Sequence, residues 1–564
     1  MQPRFKLRNA TLAAALGLAL LSSAAQAEPW TFGVIGDTQY TRGADAVNVN
    51  TVAVKHVQLV NQKFIEAGVK FVAQVGDLGD NNTAAALATR LQANWALDEA
   101  GIPFYGVRGN HDNSSAQRAY FRDNYLPSSS AETQVEIGPD GMSYAVLYKG
   151  LKLVMLDYGI TASQSVMPLL TQWMDGELAR GEHQQAVVIS HKNLLGQNHK
   201  DNLFGSNNEA NPELQNLFIG TLADHDVRWY LSGHDHMHHR SLVTSPDGQS
   251  SVRQVISQSD STKWYTPRTP YSEREQVFLQ DLYKSGHYLY TVDGPRMTGR
   301  YFSTVPVNND IADDPEWTLQ ETFGYSLNGV ARVIAQGDSY VMTHSIEPGS
   351  SFGEDGYVGT TMHILDGVNT ATTTVHGGRK SNKDFNIGWA SANTVQELGA
   401  VSDVLTIWGM QNALGSDEGD TYALALEYPG AVRGALALMS RNEDGNWEPA
   451  TARNFGGDAK FIIGPWKASY SLGSYGIDPA TRTAWAVVNR GGEFAVMPGT
   501  DGDLNGDGVI DNRDASLLSR HLNRDASVLP GADFDGDGRI TVLDARRLTL
   551  ICTLPNCASP VAPM

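Results

Sequence analysis

Five short polar motifs lie between Asp37 and His236, and each follows closely on an apolar run. They read Gly36-Asp37-Thr38-Gln39, Gly76-Asp77-Leu78-Gly79-Asp80, Gly109-Asn110-His111-Asp112, Ser190-His191 and Ser232-Gly233-His234-Asp235-His236. Carboxylates, imidazoles and an amide oxygen form a mixed N/O donor set that suits manganese, iron, zinc or cobalt, and donor type does not choose among them. Two such ions about 3.5–4 Å apart can activate a water and clamp the attacking and leaving oxygens of a phosphoryl centre, with a carboxylate bridging them. The glycines let the chain turn sharply and approach an ion closely. A single Gly-Asp is usually a turn, so the signal lies in the order and placement of all five.

The elements that must position these motifs alternate between short apolar runs and longer amphipathic stretches, from Trp30 to about Ser303. Strands are expected at 30–35, 69–75, 103–107, 151–156, 186–189 and 227–231. Helices are expected at 52–67, stopped by Gly68, and at 84–100, stopped by Gly101. This is the pattern of an α/β sandwich. In open α/β sheets ligands gather beyond the carboxyl ends of the strands, so motifs spread over 200 residues of sequence can converge at one sheet edge.

The rest of the chain sets the context. Its 564 residues exceed one hydrophobic core and divide into about three or four units. Apolar content of 41% is that of soluble globular material, and a net charge of −20 argues against a nucleic-acid scaffold or a basic membrane-surface protein. Residues 1–27 read as a signal peptide: Arg4, Lys6 and Arg8, an apolar run from Leu12 to Leu21, then Ala25-Gln26-Ala27. The alternative is an N-terminal membrane anchor, for which the run is short. No later stretch is long enough to span a bilayer, so the mature chain is expected to be soluble and exported, periplasmic or extracellular. The only cysteines, Cys552 and Cys557, are expected to pair as a short terminal disulfide.

After a polar linker at 307–316, residues 317–498 are glycine-punctuated and rich in short β-branched or aromatic segments, at 330–335, 339–343, 404–408, 422–426 and 483–488. They read as a β-sandwich of unknown role. Its histidines His344, His363 and His376 are scattered and suggest no ligand set.

The run GD–GDxxD–GNHD–H–GHDH resembles the calcineurin-like metallophosphoesterase superfamily, over a catalytic domain at about 28–306. The resemblance implies a metal-dependent hydrolase of phosphate esters with two divalent metals. Asp37 and His236 would bind the first, Asp77 would bridge, and Asn110, His191 and His234 would bind the second. His111 would protonate the leaving oxygen or steady the transition-state charge, with Asp80 and Asp112 orienting ligands. Where many members have Asp-x-His, this chain has Asp37-Thr38-Gln39. Gln39 is therefore expected as a ligand through its amide oxygen, weaker than imidazole, or as a supporting group. His238 and His239 are expected to be solvated or supporting.

Ten aspartates and no glutamate lie between Asp501 and Asp544. Two stretches, Asp503 to Asp514 and Asp533 to Asp544, carry oxygen donors at loop positions 1, 3, 5, 9 and 12 with glycine at position 6, the spacing of an EF-hand calcium loop. The donors are Asp503, Asn505, Asp507, Asp511 and Asp514 in one loop and Asp533, Asp535, Asp537, Thr541 and Asp544 in the other. Val509 and Arg539 would contribute backbone carbonyls. With a helix after each, 501–552 resembles a dockerin module, which implies two calcium ions and a cohesin partner, ahead of a tail at 553–564. Positions 10 and 11, often Ser-Thr in cellulosomal dockerins, are here Asn512-Arg513 and Val542-Leu543.

These readings give an exported phosphoesterase, phosphomonoesterase or phosphodiesterase, with a calcium-stabilised docking module. The alternative from another class is an inactive phosphoesterase fold serving binding or adhesion, glycan-associated by analogy with other dockerin-bearing chains. Residues 114–130 and Trp264 to Arg268 are the candidate rims of the site.

Overall fold

The computed structural model describes residues 28–40, 47–157, 166–268, 270–308, 310–334, 341–343, 360–365, 375–379, 381–390, 399–410, 419–428 and 434–560. The expected leader at 1–27 and His344 lie outside them.

Strands β1 (Trp30–Ile35), β2 (Val72–Gln74) and β3 (Phe104–Gly106) run parallel and open the first sheet. Strands β4 (Thr133–Ile137), β5 (Tyr144–Tyr148), β6 (Leu151–Leu156), β7 (Gln185–Ser190), β8 (Trp229–Ser232), β9 (His238–Thr244), β10 (Ser251–Ile256) and β11 (Glu275–Asp281) form an eight-stranded second sheet, in the order β11-β9-β10-β8-β7-β6-β5-β4. Strands β12 (Ser285–Asp293), β13 (Arg296–Thr304) and β14 (Thr318–Ser326) return to the first sheet, giving β14-β13-β12-β1-β2-β3. The sheets face each other across an aromatic core that includes Phe32, Phe71, Trp229, Tyr290 and Phe323. Helices α1 (Val54–Glu66) and α3 (Trp95–Glu99) lie on the first-sheet side, where Val57, Val60, Phe64 and Leu97 pack with Ile35 and Val72, while Leu87 of α2 (Ala84–Gln92) packs with Leu78 and Phe121. After α4 (Ser115–Asn124), helices α5 (Val166–Ala179) and α6 (Pro212–Asp224) cover the second sheet through Leu170, Met174, Phe218 and Ile219. This is the expected α/β sandwich with mixed sheets and flanking helices. The helix expected over 84–100 is two helices, broken at Asn94, whose Oδ1 accepts from Arg90 at 2.7 Å.

One boundary differs from the sequence reading. Residues from 317 onward were expected in the β-sandwich, yet β14 pairs along its length with β13. The reason is the alternation of Phe323 and Tyr325, which bury against Trp229 with ring centroids 5.2 and 4.7 Å away. The polar linker before β14 is thus a loop within the first unit.

The following region holds two six-stranded sheets, with Phe385, Ile387, Leu424 and Val496 in the core between them. The chain ends in two short helices, Asn512–Ser519 and Val542–Leu548, joined through a small ladder at Arg524–Asp525 and Arg539–Ile540. Their core residues Ile510, Phe534, Ile540 and Leu548 are continuous with Phe461 and Ile463 of the β-sandwich. Cys552 and Cys557 form the expected disulfide. Among the described residues, no helix is long and apolar enough to cross a membrane.

Candidate metal centre

The parallel strands β1, β2, β3, β7 and β8 all deliver their carboxyl ends to one rim, and the five motifs meet there. A cavity of about 760 Å³ at the opposite end of β2 and β3, lined by Phe71, Tyr105 and Tyr125 among others, holds none of the candidate ligands. The turns at the rim are tight. Asp37, Asp77, His234 and His236 all adopt left-handed backbone conformations, with φ of 38°, 47°, 72° and 51°. Such conformations cost roughly 1–3 kcal/mol each in non-glycine residues and persist only where the surroundings enforce them. Here the backbone N–H of His234 donates to Asp37 Oδ1 and that of His111 to Asp77 Oδ1, each at 3.0 Å. Two glycines are required by close approach: a Cβ on Gly109 would sit 2.0 Å from Asp77 Oδ1, and one on Gly233 would sit 2.3 Å from Asp37 Oδ2.

Two groups of donor atoms result. Asp77, His191 and His234 offer ligand atoms within 4.8 Å of one another, and so do Asp37, Asp77 and His236. Asp77 belongs to both, as a bridging carboxylate must. Asn110 Oδ1 joins the first group, 2.9 Å from His191 Nε2. His191 Nδ1 donates to the Val75 carbonyl and His236 Nδ1 to that of Lys263, so each ring turns Nε2 toward the centre. Among the candidate ligands, Asp37 Oδ2 and His234 Nε2 are buried without a hydrogen-bond partner, the nearest acid to the latter being Asp201 Oδ1 at 3.6 Å. Orphaned buried lone pairs are costly unless a cation meets them, so this donor set fits metal ions. Burial pushes the His234 imidazole down to about 4, which leaves it neutral and able to ligate. Burial alone would also lower His191, but Asp77 and Asp37 outweigh it and lift the imidazole to about 9, so a cation would displace a proton there.

Gln39 is expected as a ligand or as a supporting group, and its hydrogen bonds fit the second. Its oxygen does not face the centre. Lys263 Nζ, which can only donate, lies 3.0 Å from Gln39 Oε1, while Gln39 Nε2 is 2.8 Å from both Asp77 Oδ2 and His236 Nε2. The ammonium fixes the amide with its N–H groups inward, so Gln39 here donates to the candidate ligands Asp77 and His236.

His111 stands at the mouth, its side chain 30% exposed, with Nδ1 3.2 Å from the Asp80 carbonyl and 3.3 Å from its carboxylate. Asp112 is buried, and its Oδ2 accepts from Leu78 N and Gly109 N, locking the second and third motifs together. Burial, with Asp77 nearby, raises its carboxyl to about 7. His238 and His239 are supporting and not solvated: both are buried, bonded to Glu321 and Glu275. Of the candidate rims, 115–124 is helix α4, and Arg268 is exposed.

Several residues escaped the sequence reading. Lys263 is one. Asp235, inside the last motif, accepts from Asn193, Gln197 and His199 and so shapes the loop after His191. His199 stacks on His234 at 4.1 Å, and Tyr265 packs on His199 and His236 at 4.7 and 4.6 Å. Arg108 grips buried Asp157 with two bonds of 2.9 and 2.7 Å behind the third motif. Asp157 carried a signal, since it directly follows the expected strand at 151–156, and so did Asp235, inside the last motif, and Tyr265, inside the candidate rim at Trp264 to Arg268.

The C-terminal loops wrap alike. Asp503 and Asp533 each accept three backbone N–H bonds from their own loop, and Asp514 and Asp544 close the loops by bonding residues at both ends. Asp533, Asp535 and Asp537 bring one carboxylate oxygen each within 4.8 Å of one another, close enough to share a cation. In the other loop the Arg513 guanidinium folds onto Asp507 and Asp511.

Residues 31–238 match the family model of the calcineurin-like phosphoesterases, and residues 501–550 match that of the dockerin type I domain. Both resemblances read from the sequence are therefore borne out. No curated protein matches the chain. Among solved structures it is similar to GAP50, the anchor in the inner membrane complex of Plasmodium, at 13% identity over 49% of this chain and 84% of that one, with a TM-score of 0.34. It is also similar to the purple acid phosphatase PPD1 from yellow lupin (Lupinus luteus) seeds, at 13% identity and a TM-score of 0.37. There the match spans 53% of this chain and 54% of the lupin phosphatase. With PhoD the identity is 12% and the TM-score 0.36, over 54% and 70% of the two chains. The match to the calcineurin-like phosphoesterase model thus falls on the α/β sandwich, which is followed by further β-sheets and a small helical C-terminal region.

Proposed function

We propose that the chain is an exported metal-dependent hydrolase of phosphate esters carrying a calcium-stabilised docking module. The observation that carries this reading is the pair of donor groups sharing Asp77 at the ends of parallel strands. Asp37, Asp77 and His236 would hold one divalent transition metal, and Asp77, Asn110, His191 and His234 a second. Bound there, such ions supply Lewis acidity at a phosphoryl oxygen and lower the pKa of water. The chain's own residues do the rest. Asp80 orients His111 by accepting from Nδ1–H, so that the doubly protonated ring can hand its Nε2 proton to the leaving oxygen and return to neutral imidazole. Asp112 keeps the backbone of the second and third motifs in register, so Asp77 and Asn110 stay aimed at the same point. In this reading the catalytic unit runs from 28 to 326, the β-rich unit to 498, and the docking module from 501 to 552. The signal-like segment at 1–27 supports export.

Purified protein with manganese is expected to hydrolyse aryl phosphates, and parallel assays on mono- and diesters decide the class. His111→Ala should slow turnover by about 10²–10⁴-fold with metal content unchanged. Absence of turnover with every divalent ion tried would favour a binding or adhesive role instead.

The calcium loops support docking to a cohesin-like partner, and Val542 and Leu543, at positions 10 and 11 of the second loop, are 54% and 53% exposed. Calcium binding to the folded module alone stabilises it by about 2.7 kcal/mol at a hundredfold excess over Kd. Chelation with EGTA is therefore expected to expose 501–552 to limited proteolysis, and added calcium to restore protection. Identical cleavage with and without calcium would remove the structural role of the ion.

A further inference from the structure

The backbone carbonyl and the ammonium of Lys263 both bond residues of the centre. Its backbone N–H donates to Ser261 Oγ at 3.2 Å, and its carbonyl accepts from His236 Nδ1 at 2.5 Å. Its ammonium bonds Gln39 Oε1 and Asp80 Oδ1. The segment that carries it is anchored on both sides. Ser259 Oγ donates to the Asp37 carbonyl at 2.8 Å, and Trp264 Nε1 to the Lys284 carbonyl at 2.7 Å. Its side chain is 15% exposed, which sets it apart from a solvated surface lysine.

The consequence falls on one metal position and not the other. With His236 Nδ1 protonated toward Lys263, Nε2 of the same ring is an acceptor, and Gln39 donates one amide hydrogen to it and the other to Asp77 Oδ2. A side chain therefore already meets two of the three donors expected at the first position, leaving only Asp37 Oδ2 there without a hydrogen-bond partner. For Gln39 to ligate through oxygen it would have to turn over, placing its NH₂ against the ammonium, donor against donor. The ammonium also adds a positive charge beside a site meant for a divalent cation. At the second position, His234 Nε2 has no hydrogen-bond partner and the carboxamide oxygen of Asn110 is turned in, 2.9 Å from His191 Nε2.

We infer that the centre is asymmetric: one divalent cation is held tightly by Asp77, Asn110, His191 and His234, while Gln39, pinned by Lys263, occupies the first position and admits a second cation only weakly. This rests on the metallophosphoesterase reading above and specifies how its two positions differ. Lys263 acts here as a positioning residue, working through Gln39 and Asp80.

The test is metal stoichiometry rather than rate. The full chain is loaded with excess manganese and desalted, retained metal is counted by mass spectrometry, and each step of binding is followed by calorimetry. The C-terminal calcium loops are kept saturated with calcium throughout. Wild type is expected to retain about one equivalent at the centre. Lys263→Met and Gln39→His, which remove the block by different routes, should each tighten the second equivalent by about 10–100-fold. They should also produce the spin-coupled signal of a manganese pair in electron paramagnetic resonance. Two tightly retained equivalents in wild type, or a second equivalent unchanged in both variants, would overturn the asymmetry and leave the metal centre standing. Retention of none, or retention indifferent to His234→Ala, would sink the centre itself and this inference with it.

Discussion

Exchanging Asp77 for asparagine is expected to reduce turnover by about a thousandfold or more and to strip metal from the centre, without unfolding the chain. The two carboxylate oxygens are committed in different directions, Oδ1 to the His111 backbone N–H and Oδ2 to the Gln39 amide. Both partners are donors, so whichever way an asparagine turns, its NH₂ faces an N–H. One oxygen is lost to the ligand set, along with the charge that both donor groups share. Loss of a single well-aimed electrostatic group costs about 10²–10³ in rate, and Asp77 serves two positions at once, so the larger figure is the lower bound here. The fold should survive. Burial opposes the Asp77 charge, and His191 chiefly overcomes it, holding the carboxyl well below the usual range. Removing that charge relieves a crowded site that also holds Asp37 and the ionisable Asp112. Metal content, aryl-phosphate turnover and circular dichroism measured on Asp77→Asn decide the matter. Turnover within tenfold of wild type would refute the bridging role.

The legible part of this centre was legible for a geometric reason. Parallel strands end at one edge, so Asp37, Asp77, Asn110, His191 and His234 could be brought together from strand order alone, although they span some 200 residues. The orientation of Gln39 was not legible, because it is set by the ammonium of Lys263, 224 residues away in sequence. Lys263 sits in a Ser-Thr-Lys-Trp-Tyr run with no periodic signal, and His199 and Tyr265 likewise reach the centre on loops whose path only the tertiary fold decides. The misplaced boundary at 317 has a similar cause. The polar, proline-ended stretch before it looks like a linker, while the alternation of Phe323 and Tyr325 fits any buried sheet face. Only the aromatic slot beside Trp229 decides which sheet takes the strand.

That slot points to the second large effect, at Arg240 of β9, four residues beyond His236. Its guanidinium bonds both oxygens of Glu321 on β14 and also Asp384, whose other oxygen is taken by Arg253 of β10. It lies 4.3 Å over the ring of Phe323. One buried cation therefore ties the second sheet, the end of the first sheet and the β-sandwich together, since Asp384 belongs to the strand Lys383–Trp389 of that sandwich. Arg240→Met fills much of the volume but leaves Glu321 with only His238 and Asp384 with only Arg253. Breaking a buried pair from one side costs about 3–5 kcal/mol, because the remaining charge stays desolvated. The pH dependence follows from Glu321. Burial would raise its carboxyl, yet Arg240 and His238 prevail and hold it at about 2. A folded pKa below the unfolded value of about 4.3 means that its stabilising share is complete above that pH and is lost as pH falls toward 2. Without Arg240 the carboxyl is expected to titrate higher, so acid relieves the uncompensated charge instead of removing a favourable one. Calorimetric unfolding of wild type and Arg240→Met should therefore differ most at pH 7 and converge as pH falls through about 5 toward about 2. A gap that stays constant across that range would mean that lost packing on Phe323, rather than lost charge, accounts for the destabilisation.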